Sequence, residues 1–300
     1  MTSERPDAAP MPAAEIELDE SLLRAAVVRQ FPDLADRAIS IVANGWDNVV
    51  ARIGDDLAIR APRRRAAVDL IDHEWTWLRE VAAHLPIDVP LPMRRGDPDD
   101  LIPWPWMIVR WIDGIPADAS GPATIDDAEL LAAILRDLAV PAPPTAPENP
   151  HRGVPLSARA DRVGEFLDRI GGPDQDALHA VWAQALEMPA YEGPPVWLHG
   201  DLHPANLVTR AGRLVGIIDW GDLTAGDPAA DLQVAWTWCG PAGRELLLDA
   251  LDWDEAMILR ARGNALAHGA ATLANSADNP RMAAVGAATL HQVLLDARTR

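Results

Sequence analysis

Residues 196 to 221 read VWLHGDLHPANLVTRAGRLVGIIDWG, and no other stretch constrains the fold as tightly. Its polar residues stand at fixed intervals: His199, Asp201 and Asn206, then Asp219-Trp220-Gly221 beginning thirteen residues after Asn206. Each group directly follows an apolar, β-like run, Val196 to Leu198 and Leu214 to Ile218. Strand ends carry loops on a rigid support, so aspartates placed this way can be delivered to the mouth of one cleft. A lone aspartate would more simply start a turn or cap a helix. Taken jointly, one carboxylate is left to meet a proton, while an amide and a second carboxylate supply hard oxygen ligands of the kind Mg²⁺ takes.

The rest of the chain has to build the support. Residues 1 to 15 (MTSERPDAAPMPAAE) mix proline, alanine and charge without a period and read as a mobile tail outside the fold. Ile16 to Phe31 has helical spacing. The runs AISIVAN, NVVARIG and DLAIRAP are β-branched or alternating and are separated by Asn44-Gly45 and Gly54-Asp55-Asp56, which predicts three antiparallel strands. Ala66 to Leu85 returns to helical spacing, contains Glu74 and is stopped by Pro86, Pro90 and Pro92. WPWMIVRWI is a further expected strand. After Gly114 come helices joined by proline-rich links, at Asp126 to Ala139, Ser157 to Ile170 and Asp174 to Met188, and more follow a predicted hairpin in NLVTRAGRLVGIID. Strands first and helices afterwards predict an α+β fold.

Composition removes several function classes. The 45 acidic against 26 basic residues, a formal charge of −19, argue against a nucleic-acid partner. The single cysteine, Cys239, rules out an intrachain disulfide framework and a thiolate zinc site. No window has the run of apolar residues a membrane span needs, and the N-terminus lacks the basic start and apolar core of a secretory signal, so no membrane partner and a cytoplasmic location are expected. The chain contains no lysine, and arginine must fill every permanently cationic role.

The intervals H-x-D-x-x-x-x-N and D-aromatic-G are those of kinase catalytic and metal-binding loops. In that chemistry Asp201 is the base facing an acceptor hydroxyl, and Asn206 and Asp219 hold Mg²⁺ against the nucleotide phosphates. HGDLHPAN together with IIDWGD resembles the aminoglycoside phosphotransferase family, whose members share the protein-kinase-like fold. The likeness extends upstream to Asn44-Gly45-Trp46-Asp47-Asn48, LAIRAPRR and PENPHRGVPL, and downstream to Gly226-Asp227-Pro228 and Asp231-Leu232. It implies a bilobal structure: a small, mainly antiparallel N-lobe over 16–112 that binds ATP or GTP, and a larger helical C-lobe over 113–300 that carries catalysis and the acceptor. It also implies that Asp231 braces the catalytic region, with a plain helix cap an equal reading; His199, by its place in the loop scaffold, reads as an orienting or packing residue and not a catalytic one.

Where the family places a lysine on the third strand, this chain has Arg60, and Glu74, fourteen residues on, is its natural partner. A guanidinium can hold phosphate bidentately. Arg63, Arg64 and Arg65 read as a solvated basic cluster. No G-x-G-x-x-G loop is present; Asn44 to Asn48 takes its place, with Asn48 the side-chain candidate for the nucleotide. Arg110, Trp111 and Ile112, at the end of the last N-lobe strand, form the expected hinge whose main chain meets the nucleobase. Trp236, Trp238 and Trp253 fall in the region expected to line an acceptor pocket, although core packing is the commoner reason for buried tryptophan. The expected acceptor is a small, cationic hydroxyl compound, an aminoglycoside-like, cationic peptide or macrolide antibiotic whose phosphorylation confers resistance. A kinase of choline, homoserine or a sugar is the alternative within the fold, and a nucleotide-binding pseudokinase serving as an interaction module is the alternative of another class.

Overall fold

The computed structural model describes residues 13–299. The expected tail lies outside the described residues as far as residue 12, and Glu15 is tied to the fold, its main-chain N–H donating to Arg63 O at 2.9 Å. Helix α1 (Glu20–Gln30) begins at Asp19, whose carboxylate accepts from Leu22 N at 2.8 Å and satisfies one of the open donors of the first turn. Then come β1 (Ile39–Asn44), β2 (Asn48–Ile53), β3 (Leu57–Pro62), α2 (Val68–Val81), β4 (Pro92–Gly96) and β5 (Trp106–Arg110). The five strands form one antiparallel sheet in the order β1-β2-β3-β5-β4. Strand β4 is absent from the sequence expectation because its flanking prolines read as breakers. It stands at the sheet edge with Pro92 as its first residue, where a missing N–H does little harm.

Period-two alternation gives this sheet two different faces. On one, Val49, Ala51, Ile53, Ile59, Ala61, Trp106 and Ile108 pack against Leu23, Ala26 and Val27 of α1. On the other, Ala58, Met107 and Val109 meet Ile71 of α2, joined by Val50 and Trp111. Arg60 follows Ala58 by two residues, so it belongs to this second face, above the second half of the chain.

That half contains β6 (Ile115–Pro116), α3 (Ile125–Leu138), α4 (Ala160–Ile170), α5 (Gln175–Leu186), β7 (Val196–Leu198), β8 (Leu207–Arg210), β9 (Arg213–Ile217), β10 (Thr224–Gly226), α6 (Val234–Thr237), α7 (Pro241–Leu251), α8 (Glu255–Ala274) and α9 (Pro280–Thr299). Strand β7 pairs with β10, and β8 lies between β6 and β9. Trp182, Trp197, Trp220, Trp236 and Trp238 are buried in the helical core, with Trp253 packed on it. Helix α8 is buried along nearly all of Arg260 to Ala270 and crosses α9 closely, because Gly286 has no Cβ to meet Gly269 O, which would lie 2.8 Å away.

The two halves join through main-chain bonds. Asp88, between α2 and β4, donates to Val215 O at 3.3 Å and accepts from Ile217 N at 3.0 Å, adding a stretch of the first half to the edge of β9. Arg210 Nε donates to Asp113 O at 3.2 Å just beyond the connection. No helix among the described residues is long and apolar enough to cross a membrane.

Candidate active site

Strand β7 ends at Leu198 and hands the chain to His199. The carboxylate of Asp231 accepts from His199 N at 2.6 Å and from Gly200 N at 2.9 Å, fixing the first two residues of the loop. Asp231 sits in a short 3-10 segment, Pro228–Gln233, and acts across space on this loop as a brace. Burial pushes its carboxyl above the ordinary range, opposed by His199 and the two N–H donors. Gly200 has φ +86°, and a Cβ there would lie 2.4 Å from Asp222 O, so the turn admits only glycine.

His199 links the two loops that the sequence set thirteen residues apart. Its Nδ1 accepts from Asp201 N at 3.1 Å, which leaves Nε2–H to donate to Ile218 O at 3.0 Å. Its ring also lies against Trp220, centroids 4.7 Å apart. The role expected for it, orienting the loop, is what this geometry performs. Asn206 adds a second tie: its Nδ2 donates to Asp201 O at 2.9 Å, and its main-chain O accepts from Ile218 N at 2.9 Å. The side-chain hydrogen bonds of Asn206 run from Nδ2 and leave Oδ1 for another partner.

Asp219, next along, adopts φ 62° and ψ 64°. Aspartate tolerates this left-handed conformation better than most residues, and strain of this sort concentrates at functional loops. Its side chain is 55% exposed, and Oδ1 accepts from Arg60 Nη2 at 2.8 Å. Arg60 Nη2 also lies 3.2 Å from Glu74 Oε2, so one guanidinium bridges the N-lobe helix and the metal loop. Burial would lower the Arg60 pKa, but Glu74 and Asp219 outweigh it and raise the pKa above its ordinary value. Glu74 is fully buried, and that burial lifts its carboxyl to about 7 against the opposing pull of Arg60.

Asp201 is enclosed by three basic side chains. Arg152 Nη2 lies 2.6 Å from Oδ1, His203 Nε2 lies 3.3 Å from Oδ2, and His268 Nδ1 lies 3.8 Å from Oδ1. Burial pushes the Asp201 carboxyl up, and Arg152, His203 and His268 together overcome this and hold it well below the usual range. It is therefore an anion poised to accept a hydrogen bond. Burial, with repulsion from His203, Arg152 and Arg159 and against the pull of Asp201, drops His268 to about 3. Arg152 is held in turn by Asp222, whose Oδ2 is 3.2 Å away and whose Oδ1 accepts from Asn149 Nδ2 at 2.8 Å.

The structure thus brings Arg60, Glu74 and Asp219 into direct contact and ties the loop of Asp201 and Asn206 to theirs at Ile218. Asn48, one strand over from Arg60, is buried with an unpartnered Oδ1. The hinge residues fit their expected role less fully. Arg110 N donates to Leu91 O at 3.1 Å and Trp111 N to Asp56 O at 2.8 Å, so these two main-chain donors are engaged within the N-lobe. Trp111 contributes its ring to the apolar face with Val50 and Ala58, while Ile112 is buried against β9 at Gly216. The basic cluster after Arg60 is not simply solvated. Arg63 is buried and donates to Gly45 O at 3.0 Å, and Arg64 Nε donates to Trp46 O at 3.1 Å while its Nη2 pairs with Asp47, so both pin the β1–β2 connection. Only Arg65 of the three is exposed.

Sequence reasoning missed Arg152 and His268. Arg152 lies inside PENPHRGVPL, which the family likeness touched without singling out a residue; His268 lies in α8, 67 residues beyond Asp201, and nothing in its surroundings signals a role.

Mg²⁺ fits the donor set. Among the described residues no group of three or more His, Cys, Asp or Glu side chains is arranged to hold a metal. Asn206 Oδ1 and the exposed Asp219 carboxylate offer the one or two protein oxygens that Mg²⁺ takes when phosphates and waters fill its remaining positions.

Residues 38–266 match the family model described as Phosphotransferase enzyme family (APH). Among solved structures, the GDP complex of wild-type aminoglycoside 2'-phosphotransferase-IIIa is 18% identical, with TM-score 0.71 over 93% of this chain and 100% of that one. The GDP and kanamycin complex of APH(2")-IIia is 19% identical, with TM-score 0.69 over 91% and 98% of the two chains. The macrolide 2'-phosphotransferase MphH from Brachybacterium faecium is 20% identical, with TM-score 0.58 over 90% and 97%. Protein YcbJ of Bacillus subtilis (strain 168) is 30% identical over 95 residues, which span 31% of this chain and 30% of that protein's length.

Proposed function

The chain belongs to the phosphotransferase enzyme family, and from that premise we propose that it moves the γ-phosphate of ATP or GTP to a hydroxyl group of a small molecule. The observation that carries this reading is the bracing of Asp201 and Asp219 on adjoining loops, one carboxylate ringed by basic groups and the other open to a metal. Asp201 accepts the hydroxyl proton as the acceptor oxygen bonds to phosphorus and the bond to the leaving nucleoside diphosphate breaks. Its depressed pKa suits it to orienting the hydroxyl by a charge-assisted hydrogen bond more than to holding the proton before transfer. Asn206 and Asp219 would hold Mg²⁺, which when bound neutralises charge on the phosphates. Arg60, steadied by Glu74, takes the phosphate-binding place of the absent lysine, and moving from Asp219 Oδ1 to a phosphate oxygen would free that carboxylate for the metal. Val50 and Trp111, the partly exposed members of the apolar face over Ala58 and Val109, offer a surface for the nucleobase.

Aminoglycosides and macrolides are the acceptors named for similar solved proteins, and resistance would follow if this chain modifies such a compound in the cell. The test is an acceptor screen with Mg-ATP and Mg-GTP, read by mass spectrometry for an added phosphate, with Asp201→Asn as the inactive control. Nucleotide binding with no transfer to any acceptor and no background hydrolysis would favour the interaction-module reading instead.

A further inference from the structure

One arginine next to Arg152 and His268, two of the groups that surround Asp201, has no counter-ion among the described residues. Along α8, Arg260, Asn264 and His268 recur every four residues and share one face, successive members lying about 6 Å apart. His268 is 3.8 Å from Asp201, so this face runs away from the catalytic carboxylate as a wall. Arg159 reaches this face at Asn264 Oδ1, and Arg152 reaches Asp201 at its end.

The carboxylates around Asp201 are all engaged. Asp227 is paired with Arg260 at 2.7 Å, Asp222 with Arg152 at 3.2 Å and with Asn149, and Asp231 with the N–H groups of His199 and Gly200. Arg159 is different: among the described residues no carboxylate lies within salt-bridge distance of it. Its donors reach only neutral groups, His151 O at 3.3 Å and Asn264 Oδ1, and its Nε is buried without a partner. Burial, with repulsion from Arg152, lowers its pKa to about 10. Arg159 is half-buried, with its Nε shut off from water; a guanidinium placed so, without a carboxylate, favours an anion, and its planar fork matches a carboxylate or a phosphate group.

We infer that Arg159, with Arg152 beside it, forms an anion subsite on the acceptor side of Asp201, and that the acceptor is a hydroxyl compound carrying a carboxylate or phosphate group. This rests on the phosphotransfer reading and changes the acceptor expected from it. The −19 net charge suggests a cation, but net charge acts on approach, and pairing at the site decides what fits.

The test uses calorimetry on the full chain saturated with Mg-ADP, at constant ionic strength, with four small hydroxyl probes: malate, glycerol 3-phosphate, glycerol and ethanolamine. Wild type should bind at least one of the two anions more tightly than glycerol or ethanolamine, and which of them binds identifies the anionic group. Arg159→Gln should weaken that binding tenfold or more, Arg159→Lys should recover part of it, and Arg213→Gln, at an exposed arginine, should leave it unchanged. Asp201→Asn should keep anion binding while losing transfer, which separates this inference from the phosphotransfer reading. Three results would each overturn it: no anion binding in the wild type, equal affinity in wild type and Arg159→Gln, or weakened Mg-ADP binding in Arg159→Gln, which would assign Arg159 to the donor. Should Arg159→Gln fail to fold, Arg159→Lys carries the comparison, and unchanged anion affinity there with unchanged binding enthalpy counts against the subsite.

Discussion

Glu74 makes the stability of this protein depend on pH in a direction that can be worked out. Its carboxyl is fully buried, and burial raises its pKa from an ordinary 4.5 to about 7. Between those values the folded chain holds the proton more tightly than the unfolded chain. The stability associated with that proton is fully present below the unfolded pKa and is lost as pH rises through the folded one. From pH 5 to pH 8.5 the loss for a shift of this size is roughly 2 to 3 kcal/mol. In Glu74→Gln the titration is gone. Thermal and urea unfolding of wild type and variant, both without nucleotide, should therefore converge or cross as pH rises: the difference between them should move in the variant's favour by roughly 2 to 3 kcal/mol, or roughly 5 °C in Tm for a chain of this length. Other titrating groups are common to both proteins and cancel in the difference. Parallel curves across that range would show that Glu74 stays ionised beside Arg60, and the burial argument would then be wrong.

Asp201→Asn should lower kcat by roughly two to four orders of magnitude with nucleotide affinity nearly intact, because this carboxylate faces the acceptor; steady-state kinetics beside nucleotide titration measures both. Asp219→Ala should weaken Mg-nucleotide binding as well as turnover, and a rise confined to the acceptor KM would show that Asp219 is not the metal ligand. Arg60→Ala should raise the nucleotide KM and lower kcat, with part of the loss restored in Arg60→Lys, whereas Arg65→Ala, at an exposed side chain, should change little. Gly200→Ala should cost roughly 2 to 4 kcal/mol in urea unfolding, since its φ is positive and the added Cβ would meet Asp222 O; a well-folded, active variant would mean that the loop can turn another way.

Local patterns in the sequence determined most of the elements and singled out the candidate reacting groups. Alternation in AISIVAN, NVVARIG and DLAIRAP, with Asn-Gly and Gly-Asp between them, encodes β1, β2 and β3 within a residue or so of where they lie, because period-two burial and turn chemistry are local properties. The intervals from His199 to Gly221 mark Asp201, Asn206 and Asp219 because each loop is a short, continuous piece of chain. The absence of lysine leads directly to Arg60.

What holds those loops in place is not local. Asp231 reaches back across 31 residues to Gly200 N, Arg60 spans 159 residues to Asp219, and Arg152 and His268 converge on Asp201 from two distant segments. No spacing rule relates such positions, since their contact depends on how the halves pack. Edge strand β4 was hidden for a similar reason: Pro92 disfavours a strand in isolation and is tolerated only because the tertiary structure puts it at the sheet edge. The sharpest contrast concerns charge. Composition makes the whole chain strongly acidic, but burial and pairing decide which charges remain to meet a ligand, and next to Arg152 folding leaves Arg159 with no partner carboxylate among the described residues. Electrostatic interaction strengthens as the surroundings become less polar, so the packing that fixes burial also fixes the charge a substrate meets.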